Sequence, residues 1–118
     1  MKIKVSEASG PALDWLVWEI AGGPAAYPKM VGANFLRAWN GNSTKYLHPS
    51  TDWSQGGPII ERERLSPQWN ELWKQWTIPD RRNAAFSFMG PTFLIAAMRC
   101  FVASKLGDEV EVPDELAS

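Results

Sequence analysis

The stretch YLHPSTDWSQGGPIIERERL, Tyr46 to Leu65, gathers the residue types from which a binding turn can be built. The hydroxyls of Ser50 and Thr51, the carboxylate of Asp52, the indole of Trp53 and the amide of Gln55 stand close together, and Gly56 and Gly57 follow. Exposed backbone N–H groups in such a turn attract an anion, glycines let a ligand approach the main chain, and an indole offers its face to a planar ring. Thr92 at a helix start adds a second place for an anion, and Arg62 and Arg99 supply local positive charge. The pattern therefore suits a base-containing, anionic small molecule. A purely structural turn uses most of the same residues: Ser50 or Thr51 caps one helical turn, Asp52 places negative charge at its start, Gly56-Gly57 form a left-handed exit and Pro58 opens a strand. Trp53 and Gln55 are what that second reading leaves over.

Catalytic chemistry has less to stand on. The only histidine, His48, precedes a proline, and the only cysteine, Cys100, lies in a helical pattern, so neither a Cys/His pair nor a Ser/His/Asp set has a supporting motif. The same scarcity leaves zinc unsupported. Glu61 and Glu63 could act as acid and base or hold a magnesium ion, but ERER also reads as a solvated surface with ion pairs. The acidic end, Asp108 to Glu115, lacks the spacing and glycine of a calcium loop, and no phosphate-binding glycine loop is present. The expectation is a binding protein rather than an enzyme, with no cofactor implied.

The elements that must position these groups begin with a chain of 118 residues, a length suited to one domain over 1–118. Twelve basic against thirteen acidic residues give a net charge of -1, so no global field draws the chain to nucleic acid or an anionic membrane. MKIKVSEASG carries no apolar core of signal-peptide length, and FLIAAM stops at Arg99, short of the ~20 residues a span needs. A soluble protein of a reducing cytoplasm, without a membrane partner, is expected. Seven tryptophans are more than so small a core needs, and a cluster left exposed suits an aromatic ligand, a protein partner or a second copy of the chain.

KIKVS and EVEVP both alternate, and pairing them sets Lys2 and Lys4 against Glu109 and Glu111. The two ends are therefore expected to share a sheet. SGPALDWLVWEIAGG is a helix with Ser9 as cap, Pro11 in the first turn and Gly22-Gly23 as stop; Leu13, Leu16, Val17 and Ile20 form one stripe and Trp15 and Trp18 the opposite face. Residues 24–57 read as a long irregular segment interrupted only by a helical turn in GANFLRAW. PIIERERL reads as a strand, Ser66-Pro67 as the opening of a helix with Trp69, Leu72, Trp73 and Trp76 in a stripe, and NAAFSFM as a short strand. GPTFLIAAMRCFVASKLG is the clearest helix, with an apolar face of Leu94, Ile95, Met98, Phe101 and Val102 and small residues Ala96, Cys100, Ala103 and Ser104 behind. The fold class is α+β: a small sheet including both terminal strands, packed against two to three helices, with a long irregular loop.

The strings MKIKVSEASGPALDW, PSTDWSQGGPIIERE and GPTFLIAAMRCFVASKLGDEVEVPDEL resemble the NinX family of phage and prophage proteins, named for the nin region of lambdoid phages. Segments 22–45 and 66–89 carry no part of that resemblance. It implies a phage accessory protein made in the host bacterial cytoplasm and supplies no catalytic residues. Small phage proteins of this sort commonly occupy something made by the host, and several host defences signal through nucleotides. The resulting expectation is counter-defence by sequestering a nucleotide-type small molecule. A module that binds a host protein through exposed tryptophans, and a nucleic-acid accessory factor for recombination, are the alternatives. The latter rests on Arg62, Arg64, Arg81, Arg82 and aromatic stacking.

Overall fold

The computed structural model describes residues 1–23, 29–41 and 46–117 and is an α+β arrangement. Parts of the expected irregular segment, residues 24–28 and 42–45, lie outside the described residues. β1 (Lys2–Lys4) pairs antiparallel with β5 (Glu109–Glu111), with Lys2 opposite Glu111, Ile3 opposite Val110 and Lys4 opposite Glu109. The alternation and its charge match thus join the chain ends as expected. They do so in a two-stranded ribbon of their own; β2 (Gln68–Asn70), β3 (Gln75–Pro79) and β4 (Ser87–Gly90) form a second, three-stranded antiparallel sheet.

α1 (Gly10–Ala21) starts with Pro11 in its first turn and stops where Gly22, at φ 79°, donates its N–H to the Trp18 carbonyl. Ser9 occupies the cap position, but its side chain makes no capping bond, a correction to its expected role. Leu13, Leu16 and Val17 enter the main core, while the half-buried Trp15 and Trp18 bridge it to a second cluster of Ala12, Phe35, Leu47 and Leu116. The opposite face of the helix is therefore covered within the fold by α2 (Gly32–Asn40) together with Leu47 and Leu116.

α4 (Phe93–Leu106) is the central element. Its expected apolar face and its small-residue back are buried except for the half-buried Ile95 and Ser104, because β3 and β4 pack on one side and α1 and α3 (Trp53–Glu63) on the other. The Thr92 hydroxyl caps it by accepting from Ile95 N, and Gly107 ends it at φ 94°. At Gly90 the sheet comes so close that an added Cβ would lie 2.7 Å from Ala96 N.

Two elements differ from their expected form. The strand expected at 58–65 is, up to Glu63, the second half of α3: Gln55, Gly56 and Ile59 are buried, a helical spacing, and Asp52 rather than Ser50 or Thr51 caps the helix. Gly56 and Gly57 lie inside it instead of forming a left-handed exit, which falls to Arg64 at φ 55°. Pro58 is in the helix as well, not at a strand start. The expected irregular segment is correspondingly shorter, ending before Trp53. The helix expected after Pro67 is the β2–β3 hairpin, with Trp69 directly opposite Trp76. Asn70 Oδ1 accepts from Trp73 N and Lys74 takes φ 54°, so the chain reverses where the i, i+4, i+7 tryptophan spacing suggested a continuous stripe.

Candidate functional site

The segment before α3 is knit from below by one buried carboxylate. Asp14, with 0% exposure, accepts from Ser50 N at 2.8 Å and from Trp39 Nε1 at 2.8 Å, tying α1 to α2 and to the turn at 48–51. His48 brings Nδ1 to 3.9 Å from this carboxylate and tilts against Trp39 with ring centroids 4.8 Å apart. Burial pushes the Asp14 carboxyl above its usual range, opposed by its Ser50 and Trp39 donors and by nearby His48. Asp14 was absent from the expected site, although an aspartate within the buried stripe Ala12-Leu13-Asp14-Leu16-Val17 was the available signal.

On this base the turn closes. Thr51 N and Asp52 N donate to the His48 carbonyl at 3.1 and 2.7 Å, and Gln55 Oε1 accepts from His48 N at 2.9 Å. Asp52 receives Ser54 N at 2.9 Å, Ser54 Oγ at 2.6 Å and Gln55 Nε2 at 3.1 Å, and these donors hold its carboxyl below the usual range. A Cβ on Gly56 would overlap the Pro49 carbonyl oxygen and lie 2.6 Å from Leu94 Cδ2, whereas one on Gly57 would meet nothing. Ser50, Asp52, Gln55 and Gly56 therefore build the turn, and Ser50 and Gln55 are buried. Thr51 is exposed.

Trp53 stands out of this turn with 57% exposure. As the first residue of α3 its ring lies 5.3 Å from that of Phe93, the first residue of α4, so the starts of two helices meet beneath an indole. Phe93 is 5.2 Å from Trp76 and Trp76 5.6 Å from Trp69, both edge-on. Trp53, Phe93, Trp76 and Trp69 thus form one aromatic ridge whose two outer members are exposed, Trp69 by 45%. Thr92 adjoins Phe93, so of the expected site residues the ridge gathers Trp53 and Thr92.

The two arginines lie elsewhere. Arg99 donates Nε to the Ala8 carbonyl at 2.8 Å and Nη1 to the Met89 carbonyl at 2.7 Å, clamping α4 to the chain on both sides; burial pulls its pKa down. Arg62 sits nine residues beyond Trp53, about 13 Å along the helix axis, with Nε 3.3 Å from Glu63 Oε2. Phe93, Trp69 and Trp76 are ridge members outside the expected site, because a helical stripe places Trp69 and Trp76 away from the turn at Trp53. Their spacing around a hairpin turn was the signal.

Among the described residues no three His, Cys, Asp or Glu side chains gather as metal ligands, and no helix is long and apolar enough to cross a membrane. Comparison with curated proteins finds no match. A family model described as Bacteriophage P22, NinX matches residues 4–105, running through the segments 22–45 and 66–89 that carried no part of the sequence resemblance. Matched over that span, from the end of β1 to the last turn of α4, the chain belongs to the phage P22 NinX family.

Proposed function

We propose that this phage protein is a non-catalytic binding protein that holds a planar, anionic small molecule of nucleotide type on the aromatic ridge, and so sequesters a host signal in the bacterial cytoplasm. The observation that carries the reading is the exposed Trp53 ring, 5.3 Å from Phe93, above the starts of α3 and α4. A base stacks on Trp53. Its phosphate lies toward the positive ends of the α3 and α4 dipoles, with Thr51 and Thr92 beside it, although Ser54 N and Ile95 N are already held by the Asp52 and Thr92 caps. Ser50, Asp52, Gln55, Gly56 and Asp14 hold Trp53 in place rather than touching the ligand.

Base–aromatic stacking contributes about 1–3 kcal/mol, so Trp53→Ala weakens binding roughly 5- to 150-fold. Calorimetric titration with a nucleoside monophosphate and a cyclic dinucleotide, on wild type and variant, tests this. Equal affinity in both proteins, or a heat signal from neither probe, refutes it. A second reading, a module that binds a host protein, is favoured by Leu72, Trp73 and Phe86 at 85%, 63% and 65% exposure. Pull-down from lysate with Trp73→Ala separates the two, because the nucleotide reading leaves that variant's ligand binding intact.

A further inference from the structure

The terminal ribbon has a side that nothing in the ridge uses. Met1 and Val112 exchange hydrogen bonds, Met1 N to Val112 O at 2.7 Å and Val112 N to Met1 O at 2.9 Å, and Val5 N donates to Asp108 O at 2.9 Å. In an antiparallel ladder bonded and non-bonded pairs alternate, so Ile3 and Val110 bond to each other while the N–H and C=O groups of Glu109 and Glu111 turn away from β1. Among the described residues no other strand takes them.

That outward side borders a groove of about 590 Å³ that includes all three β5 residues and none of β1. Trp15, Ile20 and Leu106 give it an apolar floor, Leu106 with 46% exposure, and Glu19, Glu109 and Glu111 line its rim. Lys105 also lines it, but its ammonium lies 3.6 Å from Glu63. The C-terminal ends of α1 and α4, which carry the negative end of each helix dipole, border the same space. An unpaired edge beside an apolar groove is the geometry of strand addition, in which main-chain bonds hold an extended segment and alternate side chains enter the groove.

We propose that β5 is a docking edge for an extended segment of a partner protein that alternates basic and apolar residues. Charge selects the occupant: Glu19, Glu109 and Glu111 line the groove, the Glu111 carboxylate also lying 3.2 Å from the Met1 ammonium, and β1, which already pairs with β5, has this alternation in Lys2-Ile3-Lys4. A second copy adding through its own β5 sets glutamates against glutamates, which is unfavourable, and adding through its β1 gives a head-to-tail contact with no closure.

The test uses a short capped, fluorescently labelled peptide of alternating lysine and valine, with a glutamate–valine peptide as control. Glu111→Pro removes an outward N–H and keeps the main-chain bonds of Met1 with Val112 and of Ile3 with Val110, while deleting the ion pair of the Glu111 carboxylate with the Met1 ammonium. The lysine peptide is expected to bind saturably, at least about tenfold more weakly to this variant, and to slow hydrogen exchange at Glu109 and Glu111 in the wild type. Should Glu111→Pro fail to fold, Glu19→Lys with Glu109→Lys provides the second variant, expected to lose the peptide to the same extent. The proposal is overturned if the lysine peptide does not saturate, if the glutamate peptide binds equally, if a folded variant binds as wild type does, or if protection appears away from β5. Concentration-dependent self-association that blocks the peptide overturns it too.

Discussion

Removing the Asp14 carboxylate tests whether the buried node supports the turn below Trp53. In Asp14→Ala the Ser50 N–H and the Trp39 indole N–H lose their acceptor, and Ser50 is 1% exposed. Each stranded donor costs about 1–3 kcal/mol. Against this, the variant no longer buries a charge whose desolvation is the largest influence on its pKa. Desolvation of a buried charge costs several kcal/mol and is partly recovered in the bonds it accepts, so a net loss of about 1–4 kcal/mol is expected. Urea unfolding followed by far-UV circular dichroism measures it as a lower midpoint with an unchanged slope. A variant as stable as wild type, or more stable, would refute the reasoning by showing that desolvation outweighs the two bonds. The pH dependence is a second check. A carboxyl with its folded pKa above the usual 3.8 binds more protons when folded, so its contribution is complete below about 3.8 and is lost as pH rises through the raised value. Asp14→Asn does not titrate, so the stability advantage of wild type over it is expected to narrow as pH rises across that window.

Adjacent glycines should respond differently: Gly56→Ala loses about 1–3 kcal/mol through overlap with Pro49 and Leu94, whereas at Gly57 the gain of about 0.5–1 from a helical alanine is opposed by the clash of its Cβ with the following Pro58 ring, leaving little net shift. Thermal melts of the pair check this, and equal shifts would count against the close packing of α3 on α4. Asp52→Ala removes the α3 cap at a cost of about 0.5–2 kcal/mol. Because the Asp52 carboxyl is depressed, its contribution is present above about 3.8 and lost as pH falls through its folded value, so the melting difference should shrink on acidification.

The sequence by itself determined the elements whose local signals agree. α4 carries a helical pattern between Thr92 and Gly107, α1 is marked by Pro11 in its first turn and Gly22 at its stop, and the terminal strands match alternation with opposite charge, so their pairing could be foreseen without the fold. It also marked Trp53 as a residue the turn does not require. Where local signals conflicted, only the tertiary structure decided. Gly56-Gly57-Pro58 opposes a helix, yet α3 forms because Asp52 caps it and the missing Gly56 side chain lets it press against Pro49 and α4. The tryptophans at 69, 73 and 76 fit a helical stripe, but packing on α4 selects a hairpin in which Trp69 and Trp76 share one face and Trp76 meets Phe93. The ridge and the Asp14 node join residues far apart in the chain, and no local pattern encodes a contact that exists only once α1, α2, α3 and α4 have packed.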